Sequence, residues 1–220
     1  MRTYISPIGY DTRRVTRPVI NRGLDSEDEL VLLRPGGETD TERATQTIAD
    51  VEQFLQEIEP NYRQRVEHVV TDSFEETVRD CCQIVSDVGD DREIVVSLGG
   101  GARDILLPLT VAALVYARRI DAALFVSDLD TSVQEWTLPD LTARISNRAF
   151  QTFEVIVEAD GWLSLSTITE ETEQSKSTVI RHVNDLESSN VVVADTSEKA
   201  KRVRVTFSGE LLSLVPQATV

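Results

Sequence analysis

Short apolar runs alternate with longer amphipathic stretches through the first 130 residues. Two of these stretches carry apolar side chains at helical spacing, which predicts helices over 41–58 and 74–88, and the apolar run over 104–120 predicts a third. We interpret the apolar runs between them as five strands, at residues 3–6, 29–33, 66–71, 93–98 and 122–126. Strands that alternate with helical crossovers are typical of a mostly parallel sheet. The pattern therefore predicts an α/β domain, with a doubly wound sheet, over residues 1–130.

The chain after residue 147 has a different pattern, in which short amphipathic helices precede two short strands. The helices are predicted over 148–158, 165–171 and 175–188, and the strands over 191–194 and 202–207. Weak periodicity, interrupted by Pro139, predicts a linker over 131–147. A turn at 173–175 joins two of the helices, and a polar turn at 195–200 joins the strands. This order is typical of an α+β winged helix-turn-helix domain, here over residues 148–220.

Composition narrows the class of protein. Hydrophobic residues make up 40% of the chain, and no apolar run approaches the roughly 20 residues that span a bilayer. The first residues lack the apolar stretch and cleavage site of a secretory signal, so we expect a cytoplasmic protein with no membrane partner. The adjacent cysteines, Cys81 and Cys82, indicate buried structural thiols. We expect no metal and no other cofactor.

The net charge of −16 at pH 7 is unfavourable for a nucleic-acid binder, because phosphate contacts normally need a basic surface. The cations are unevenly distributed, however. Every lysine, Lys176, Lys199 and Lys201, falls in the less acidic C-terminal segment. A pervasively acidic chain with many arginines and few lysines resembles the proteins of salt-accumulating archaea, so we expect a halophilic archaeal source.

A glycine-rich turn follows the fourth predicted strand, in the sequence Val95-Val-Ser-Leu-Gly-Gly-Gly-Ala-Arg-Asp104. Glycines allow close backbone approach, so N–H groups at the start of the next helix can bind an anion, with Arg103 as a charged partner. The spacing matches neither the dinucleotide-binding nor the Walker pattern. The candidate ligand-binding residues here are Ser97, Leu98, Gly99, Gly100, Gly101, Ala102, Arg103 and Asp104. The alternative is a tight strand-to-helix turn that binds no ligand.

The loop after the first predicted strand is expected at the same edge of the sheet. Tyr10 can stack on a base, and either Arg13 or Arg14 can pair with a phosphate. The candidate ligand-binding residues of this loop are Pro7, Ile8, Gly9, Tyr10 and Arg13. The alternative is a solvated turn that leads into a helix.

The second helix of the predicted helix-turn-helix presents donors for phosphates and base edges in its N-terminal half. Basic residues also cluster on the tip and return strand of the predicted wing. The candidate DNA-binding residues are Ser175, Lys176, Ser177, Thr178 and Arg181 on the helix, and Lys199, Lys201, Arg202 and Arg204 on the wing. The alternative is a winged helix used only for protein contacts.

The turns Ile8-Gly-Tyr10 and Gly99-Gly-Gly-Ala-Arg103, together with the winged helix, resemble the CARF-domain transcriptional regulators associated with archaeal CRISPR systems. The resemblance covers nearly the whole chain. It implies a Rossmann-like first domain and a homodimer that binds a cyclic oligoadenylate across its two-fold axis, the expected effector being cyclic tetra-adenylate. Family members commonly carry Thr or Ser near these glycines, where this chain has Gly99 and Ala102. That departure leaves open both the hydroxyl contacts to the ligand and ligand binding itself.

The stretch from Ser166 to the Thr206-Phe-Ser-Gly-Glu-Leu-Leu ending resembles winged helices of the MarR and ArsR type. The two resemblances together imply a ligand-responsive transcriptional regulator of CRISPR-associated genes that binds promoter double-stranded DNA. No catalytic residue is predicted, since no His, Lys or pair of carboxylates beside the glycine turn is arranged for proton transfer. Two alternatives stay open: a ring nuclease that cleaves cyclic oligoadenylate, and a constitutive dimeric DNA-binding adaptor without an effector.

Overall fold

The computed structural model describes residues 1–37, 41–159, 161–197 and 201–215. The chain divides into two compact units, Met1–Leu138 and Pro139–Val220. In the first unit the strands are β1 Arg2–Pro7, β2 Glu29–Pro35, β3 Arg63–Val69, β4 Glu93–Ser97, β5 Ala122–Val126 and β6 Val133–Trp136. The helices of this unit are α1 Arg13–Arg22, α2 Thr41–Gln56, α3 Phe74–Ser86 and α4 Arg103–Val115.

The strands of the first unit form one sheet in the order β3-β2-β1-β4-β5-β6. β1 to β5 run parallel, and β6 pairs antiparallel with β5 at one edge. The chain builds outward from β1 through β2 to β3, and then crosses to β4 on the other side of β1. The strand order therefore reverses between β1 and β4. In sheets of this type, ligands bind beyond the carboxyl ends of the strands at such a reversal.

Helices cover both faces of this sheet. Successive residues of a strand point to opposite faces, so Tyr4 packs with α1 and α2 while its neighbour Ile5 packs with α3 and α4. Residues 30–33 of β2 have no exposed surface, because the strand is buried between the two layers. This double burial produces the continuous apolar runs that identify the central strands in the sequence.

The second unit consists of α5 Phe150–Glu158, β7 Leu163–Ser164, α6 Leu165–Thr172, α7 Lys176–Ser188, β8 Val192–Asp195, β9 Arg202–Val205 and α8 Phe207–Ser213. Its strands form a small antiparallel sheet in the order β7-β9-β8. The helices and the sheet share one apolar core, to which Phe153, Ile168 and Val183 contribute. This arrangement is a winged helix, in which the β8–β9 hairpin is the wing.

Hydroxyl side chains fix the N termini of four helices. Each accepts a hydrogen bond from the backbone N–H three residues further on, and the four are Ser73, Ser164, Ser175 and Thr206. Such caps satisfy one of the unpaired donors in the first turn of a helix. The caps at Ser164 and Ser175 therefore set the start of both helices of the helix-turn-helix.

The predicted fold class, an α/β domain followed by a winged helix-turn-helix domain, is confirmed. Three local features differ from the sequence expectations. The segment 131–147, for which the sequence predicts a linker, contains β6, and α1 is a full helix where only a turn leading into one is predicted. Of the two predicted buried thiols, Cys81 is buried and Cys82 is half-buried. Within the described ranges, no helix combines the length and the apolar character needed to cross a bilayer.

Candidate functional site

An open cleft lies at the carboxyl ends of β1, β4 and β5, where the strand order of the sheet reverses. Its volume is about 480 Å³. Loops after β1 and β4 supply most of its wall, and the other lining residues come from the end of β2, from β5 and the loop after it, and from α1 and α4. The lining residues are Ile8, Gly9, Tyr10, Asp11, Arg14, Pro35, Leu98, Gly99, Gly100, Gly101, Ala102, Arg103, Leu106, Phe125 and Asp128.

The glycine turn after β4 packs closely against its surroundings. A Cβ on Gly99 would lie 2.6 Å from the backbone nitrogen of Val126 in β5. A Cβ on Gly101 would lie 2.4 Å from the Cβ of Pro7 at the end of β1, and Gly101 has a φ of +83°, in the region that favours glycine. The turn therefore needs glycine at these positions for packing and backbone conformation alone.

Unpaired backbone donors face this turn at the start of α4. The helix begins at Arg103, and its N-cap Ala102 offers no side-chain acceptor. Among the residues that the structure describes, none accepts a hydrogen bond from the backbone N–H groups of residues 100–104. A helix N terminus with free N–H groups carries partial positive charge and favours an anion. The predicted anion-binding chemistry is therefore available at this end of α4.

Arg14 forms the opposite wall of the cleft. Its Nη1 donates hydrogen bonds to the carbonyl oxygens of Gly99 at 2.9 Å and Val126 at 3.1 Å. Its Nη2 pairs with the carboxylate of Asp128. A Cβ on Gly100 would lie 2.6 Å from the Cβ of Arg14, so the second glycine of the turn makes room for this arginine.

Aromatic rings lie at two places on the rim of the cleft. Tyr10 is exposed, and the guanidinium carbon of Arg43 lies 4.1 Å from the centre of its ring. Phe125 stacks on Trp136 of the neighbouring strand β6, with ring centres 4.3 Å apart. Both Tyr10 and Phe125 line the cleft, so flat apolar surfaces are present beside the anion-binding groups.

Most of the predicted ligand-binding residues come together in the cleft, and four do not line it. Pro7 packs beneath Gly101, and Ser97 is buried within 3.5 Å of the Arg14 carbonyl oxygen. Asp104 is exposed. Arg13 forms a bidentate pair with Asp11, at 2.9 and 3.0 Å, and this hydrogen bonding lowers the pKa of Asp11.

Of the two arginines that the sequence offers for a phosphate, Arg14 lines the cleft and Arg13 does not. Five lining residues are absent from the sequence prediction of the site: Asp11, Pro35, Leu106, Phe125 and Asp128. The sequence carries a usable signal for two of them. Pro35 is the last residue of β2, and Asp128 follows β5 closely. The carboxyl ends of parallel strands meet at one edge, so residues at these positions are candidates for the same site.

The helix-turn-helix of the second unit is formed by α6 and α7. Glu173 ends α6 in the left-handed conformation, with φ of 54°, and Ser175 caps α7. The buried side of α7 carries Val179, His182, Val183 and Leu186. Its exposed residues include Lys176, Ser177 and Arg181, as a DNA-reading helix requires.

Several of the predicted DNA-binding residues are engaged within the unit. The hydroxyl of Ser175 lies 2.9 Å from that of Ser177 and 2.8 Å from that of Thr178. On the wing, Lys201 binds back to Asn184 and Glu187 of α7, and Arg202 pairs with Asp195 at 3.2 Å. Lys199 lies outside the described residues. The DNA-binding role of these side chains stays a prediction.

Trp162 is a surface aromatic residue that the sequence prediction of the DNA site leaves out. It lies directly before β7, and its ring is 4.9 Å from the guanidinium carbon of Arg204 and 5.9 Å from that of Arg202. The neighbouring residue Leu163 pairs with Val203, which places Trp162 beside Arg204. The pairing of β7 with β9, and not sequence proximity, brings these groups together.

His182 is buried in the core of the second unit. Its Nδ1 lies 3.0 Å from the hydroxyl of Thr152. Burial lowers the pKa of His182, and the positive charge of Arg181 lowers it further. Throughout the ranges that the structure covers, no group of three or more His, Cys, Asp or Glu side chains could hold a metal ion.

Comparison with known proteins identifies a family for the first unit. Residues 2–137 match the family model described as Csa3_N, the Csa3 CRISPR-associated Rossmann-like domain. No curated protein matches the sequence. Enterococcus italicus Csm6 bound to cyclic hexa-2′-fluoro-hexa-dAMP is 11% identical, with a TM-score of 0.51. That match covers 87% of this chain and 55% of the Csm6 chain, and it supports the fold assignment.

Two smaller solved structures also resemble parts of the chain. The Zα domain of PKZ from Carassius auratus, in complex with Z-DNA, is 27% identical over 27% of this chain and 92% of that domain, with a TM-score of 0.25. The homodimeric winged helix-turn-helix DNA-binding domain of Mb0332 from Mycobacterium bovis is 16% identical, with a TM-score of 0.28. This second match covers 53% of this chain and 83% of that one.

Proposed function

The chain belongs to the Csa3 CRISPR-associated Rossmann-like domain family, and on this basis we propose that it is a cytoplasmic, ligand-responsive transcriptional regulator of CRISPR-associated genes. The second unit binds promoter double-stranded DNA, and the first unit senses a cyclic oligoadenylate. One observation carries the proposal. A single chain combines an open cleft, with unpaired N–H groups at a sheet reversal, and a helix-turn-helix that exposes Lys176 and Arg181.

The proposed effector is cyclic tetra-adenylate. Its phosphates require donors, and the cleft offers the N–H groups of residues 100–104 together with the side chains of Arg14 and Arg103. Its bases require flat apolar surfaces, which Tyr10 and Phe125 provide at the rim. Gly99 and Ala102 supply no hydroxyl, so recognition relies on backbone and guanidinium groups instead.

We place the effector across the two-fold axis of a homodimer. A symmetric cyclic ligand matches the symmetry of two identical clefts, and paired winged helices match operator half-sites about one helical turn apart. Binding of the effector then changes how the two winged helices fit the operator. Effector and DNA affinities must change each other by the same factor, since the coupling free energy is shared.

We propose that the protein binds its ligand without cleaving it. Among the described residues that line the cleft there is no His and no Lys, and Asp11 and Asp128 are both paired with arginines. General acid–base cleavage needs a group that can take or give a proton at the reacting atom. Incubation of cyclic tetra-adenylate with the protein should leave it intact, and linear adenylate products would instead indicate a ring nuclease.

A mobility-shift titration of promoter DNA, with and without cyclic tetra-adenylate, tests the regulatory proposal. It is run over a series of KCl concentrations, because phosphate contacts weaken as salt rises. We expect the effector to change the DNA affinity by about 5-fold or more, within the usual range of allosteric coupling. Intact DNA binding that no nucleotide alters, without any shift in melting temperature, would favour a constitutive adaptor.

A further inference from the structure

The guanidinium of Arg14 makes two kinds of contact in the wall of the cleft. Its Nη1 is committed to the carbonyl oxygens of Gly99 and Val126, which hold the group in place. Its Nη2 pairs with Asp128, whose side chain is 75% exposed, while only 25% of the Arg14 side chain is exposed. A second carboxylate, that of Asp11, lies 3.9 Å from Nε of Arg14. The arginine is therefore fixed by the fold, and the Asp128 carboxylate lies at the open side of its pair.

Asp128 belongs to the loop that joins β5 to β6, residues 127–132. Two arginines of α1 hold this loop, since Arg14 pairs with Asp128 and Nη1 of Arg17 donates to the carbonyl oxygen of Thr131 at 2.7 Å. Thr131 has a φ of 60°, which is unfavourable for a β-branched residue, and Leu129 is 98% exposed. Internal hydrogen bonds fix the local shape of the loop, from the Ser127 N–H to the Ser132 carbonyl oxygen at 2.9 Å and from the Thr131 N–H to the Ser127 carbonyl oxygen at 3.0 Å. The contacts to α1 tie the loop to the wall of the cleft.

We propose that Arg14 is the principal phosphate-binding side chain of the cleft, and that Asp128 occupies it only in the ligand-free protein. This inference rests on the proposed function. A phosphodiester group of the ligand replaces the Asp128 carboxylate at Nη2 of Arg14, and the 127–132 loop is released from that anchor. The phosphate gains because it also accepts hydrogen bonds from the free N–H groups of residues 100–104, which Asp128 does not use.

Replacement of Asp128 by a phosphate would connect the cleft to the second unit through the chain that follows the loop. The loop leads into β6, which ends at Trp136 on the ring of Phe125, a residue of the cleft wall. β6 is the last element of the first unit, and the second unit begins at Pro139. Release of the loop therefore acts on the segment through which the sensing unit is joined to the DNA-binding unit.

Hydrogen exchange on the ligand-free protein tests the resting state. Asp128→Asn keeps the shape of the side chain and removes its charge. We expect exchange in residues 127–132 to become about two- to fivefold faster, as loss of one partly exposed ion pair allows. Arg79→Gln on α3 is the control, since this exposed arginine lies outside the cleft lining, and it should leave the loop unchanged. Unchanged exchange in Asp128→Asn would overturn the proposal whatever the ligand.

Titration with cyclic tetra-adenylate tests whether a ligand phosphate replaces the Asp128 carboxylate. We expect Asp128→Asn to bind about two- to fivefold more tightly, because the ligand no longer competes with the Asp128 carboxylate for Nη2 of Arg14. Arg14→Gln should bind more than about tenfold more weakly, and bound ligand should raise exchange in the wild-type loop to the Asp128→Asn level. Weaker binding by Asp128→Asn would overturn the proposal, since Asp128 would then be a ligand contact.

A second probe separates this inference from the proposed function. If cyclic tetra-adenylate does not bind the wild-type chain, the proposed effector is wrong. Inorganic tripolyphosphate is then the probe of the cleft. If tripolyphosphate makes hydrogen exchange faster in the wild-type loop, but does not in a folded Arg14→Gln or Arg14→Lys variant, the role of Arg14 is supported. No response of the wild-type loop to either anion would overturn it.

Discussion

At the scale of single residues, the same turn needs glycine for close packing and leaves backbone N–H groups free to bind a ligand. Gly99, Gly100 and Gly101 each lie where a Cβ would collide with β5, with Arg14 or with Pro7. This close packing directs the backbone so that the N–H groups of residues 100–104 stay unpaired. A tight strand-to-helix turn and an anion-binding turn are therefore not exclusive descriptions of this segment. The glycines are needed for the tight turn, and the free N–H groups make anion binding possible.

Gly101→Ala should destabilise the first unit. The substitution places a Cβ 2.4 Å from Pro7 Cβ at a φ of +83°, so we expect a loss of roughly 2–4 kcal/mol in the free energy of unfolding. Gly37→Ala is the matched control, because no atom lies within 4 Å of its added Cβ. Urea unfolding followed through Trp136, in a Trp162→Phe background, reports on the first unit. Equal effects of the two substitutions would contradict the packing argument.

His182 should make the second unit sensitive to acid. Burial lowers its pKa in the folded state below the unfolded value of about 6.5. The unfolded chain therefore takes up the proton first as the pH falls, and stability decreases below about pH 6.5. Unfolding between pH 8 and 5, followed through Trp162 in a Trp136→Phe background, measures this loss. His182→Gln should be less stable throughout but should show a flatter pH dependence, and an equally steep one would assign the effect elsewhere.

At the scale of elements, the hydrophobic pattern predicts the strands buried on both faces and the longer amphipathic helices, and it misses the exposed strand β6 and the short helix α1. The central parallel strands appear as continuous apolar runs. β6 does not, because Gln134, Glu135 and Trp136 are exposed and the strand is defined by its pairing with β5. α1 is similarly hidden, since it is short, rich in arginine and contains Pro18.

The same distinction applies to the cleft. The turns after β1 and β4 are predictable, because each directly follows a recognisable strand. Arg14 and Arg13 are indistinguishable in the sequence, but successive side chains of a helix point about 100° apart. Arg13 consequently pairs with Asp11 while Arg14 reaches Gly99. Phe125 and Asp128 reach the cleft because β5 lies next to β4 in the sheet. The periodicity of the sequence does not specify this strand order.

The proposed recognition helix α7 offers a direct test of DNA binding. Arg181→Ala removes an exposed cation without touching the buried side of the helix, so we expect promoter affinity to fall by about fivefold or more. If Arg181 binds a phosphate, the slope of affinity against salt should also decrease by about one. Arg79→Ala in the first unit removes the same charge and should have no such effect. Similar losses in both variants would indicate a general charge effect and not a contact of α7.

At the scale of the whole molecule, two requirements on charge oppose each other. The net charge of −16 repels DNA and also destabilises the compact state through repulsion among like charges. The lysines are confined to the winged helix region, where Lys176 and Arg181 are exposed on α7. Salt screens both interactions, so it should stabilise the fold while it weakens phosphate contacts.

The melting temperature should therefore rise with KCl. Between about 0.1 and 2 M KCl we expect an increase of roughly 5 °C or more, because screening removes repulsion among the excess carboxylates. Glycine betaine at the same concentrations is the control, since a zwitterion adds solute without comparable screening. A melting temperature that falls with KCl, or rises equally with betaine, would argue against charge repulsion as the limiting term. In that case the acidic composition would serve solubility and not limit the stability of the fold.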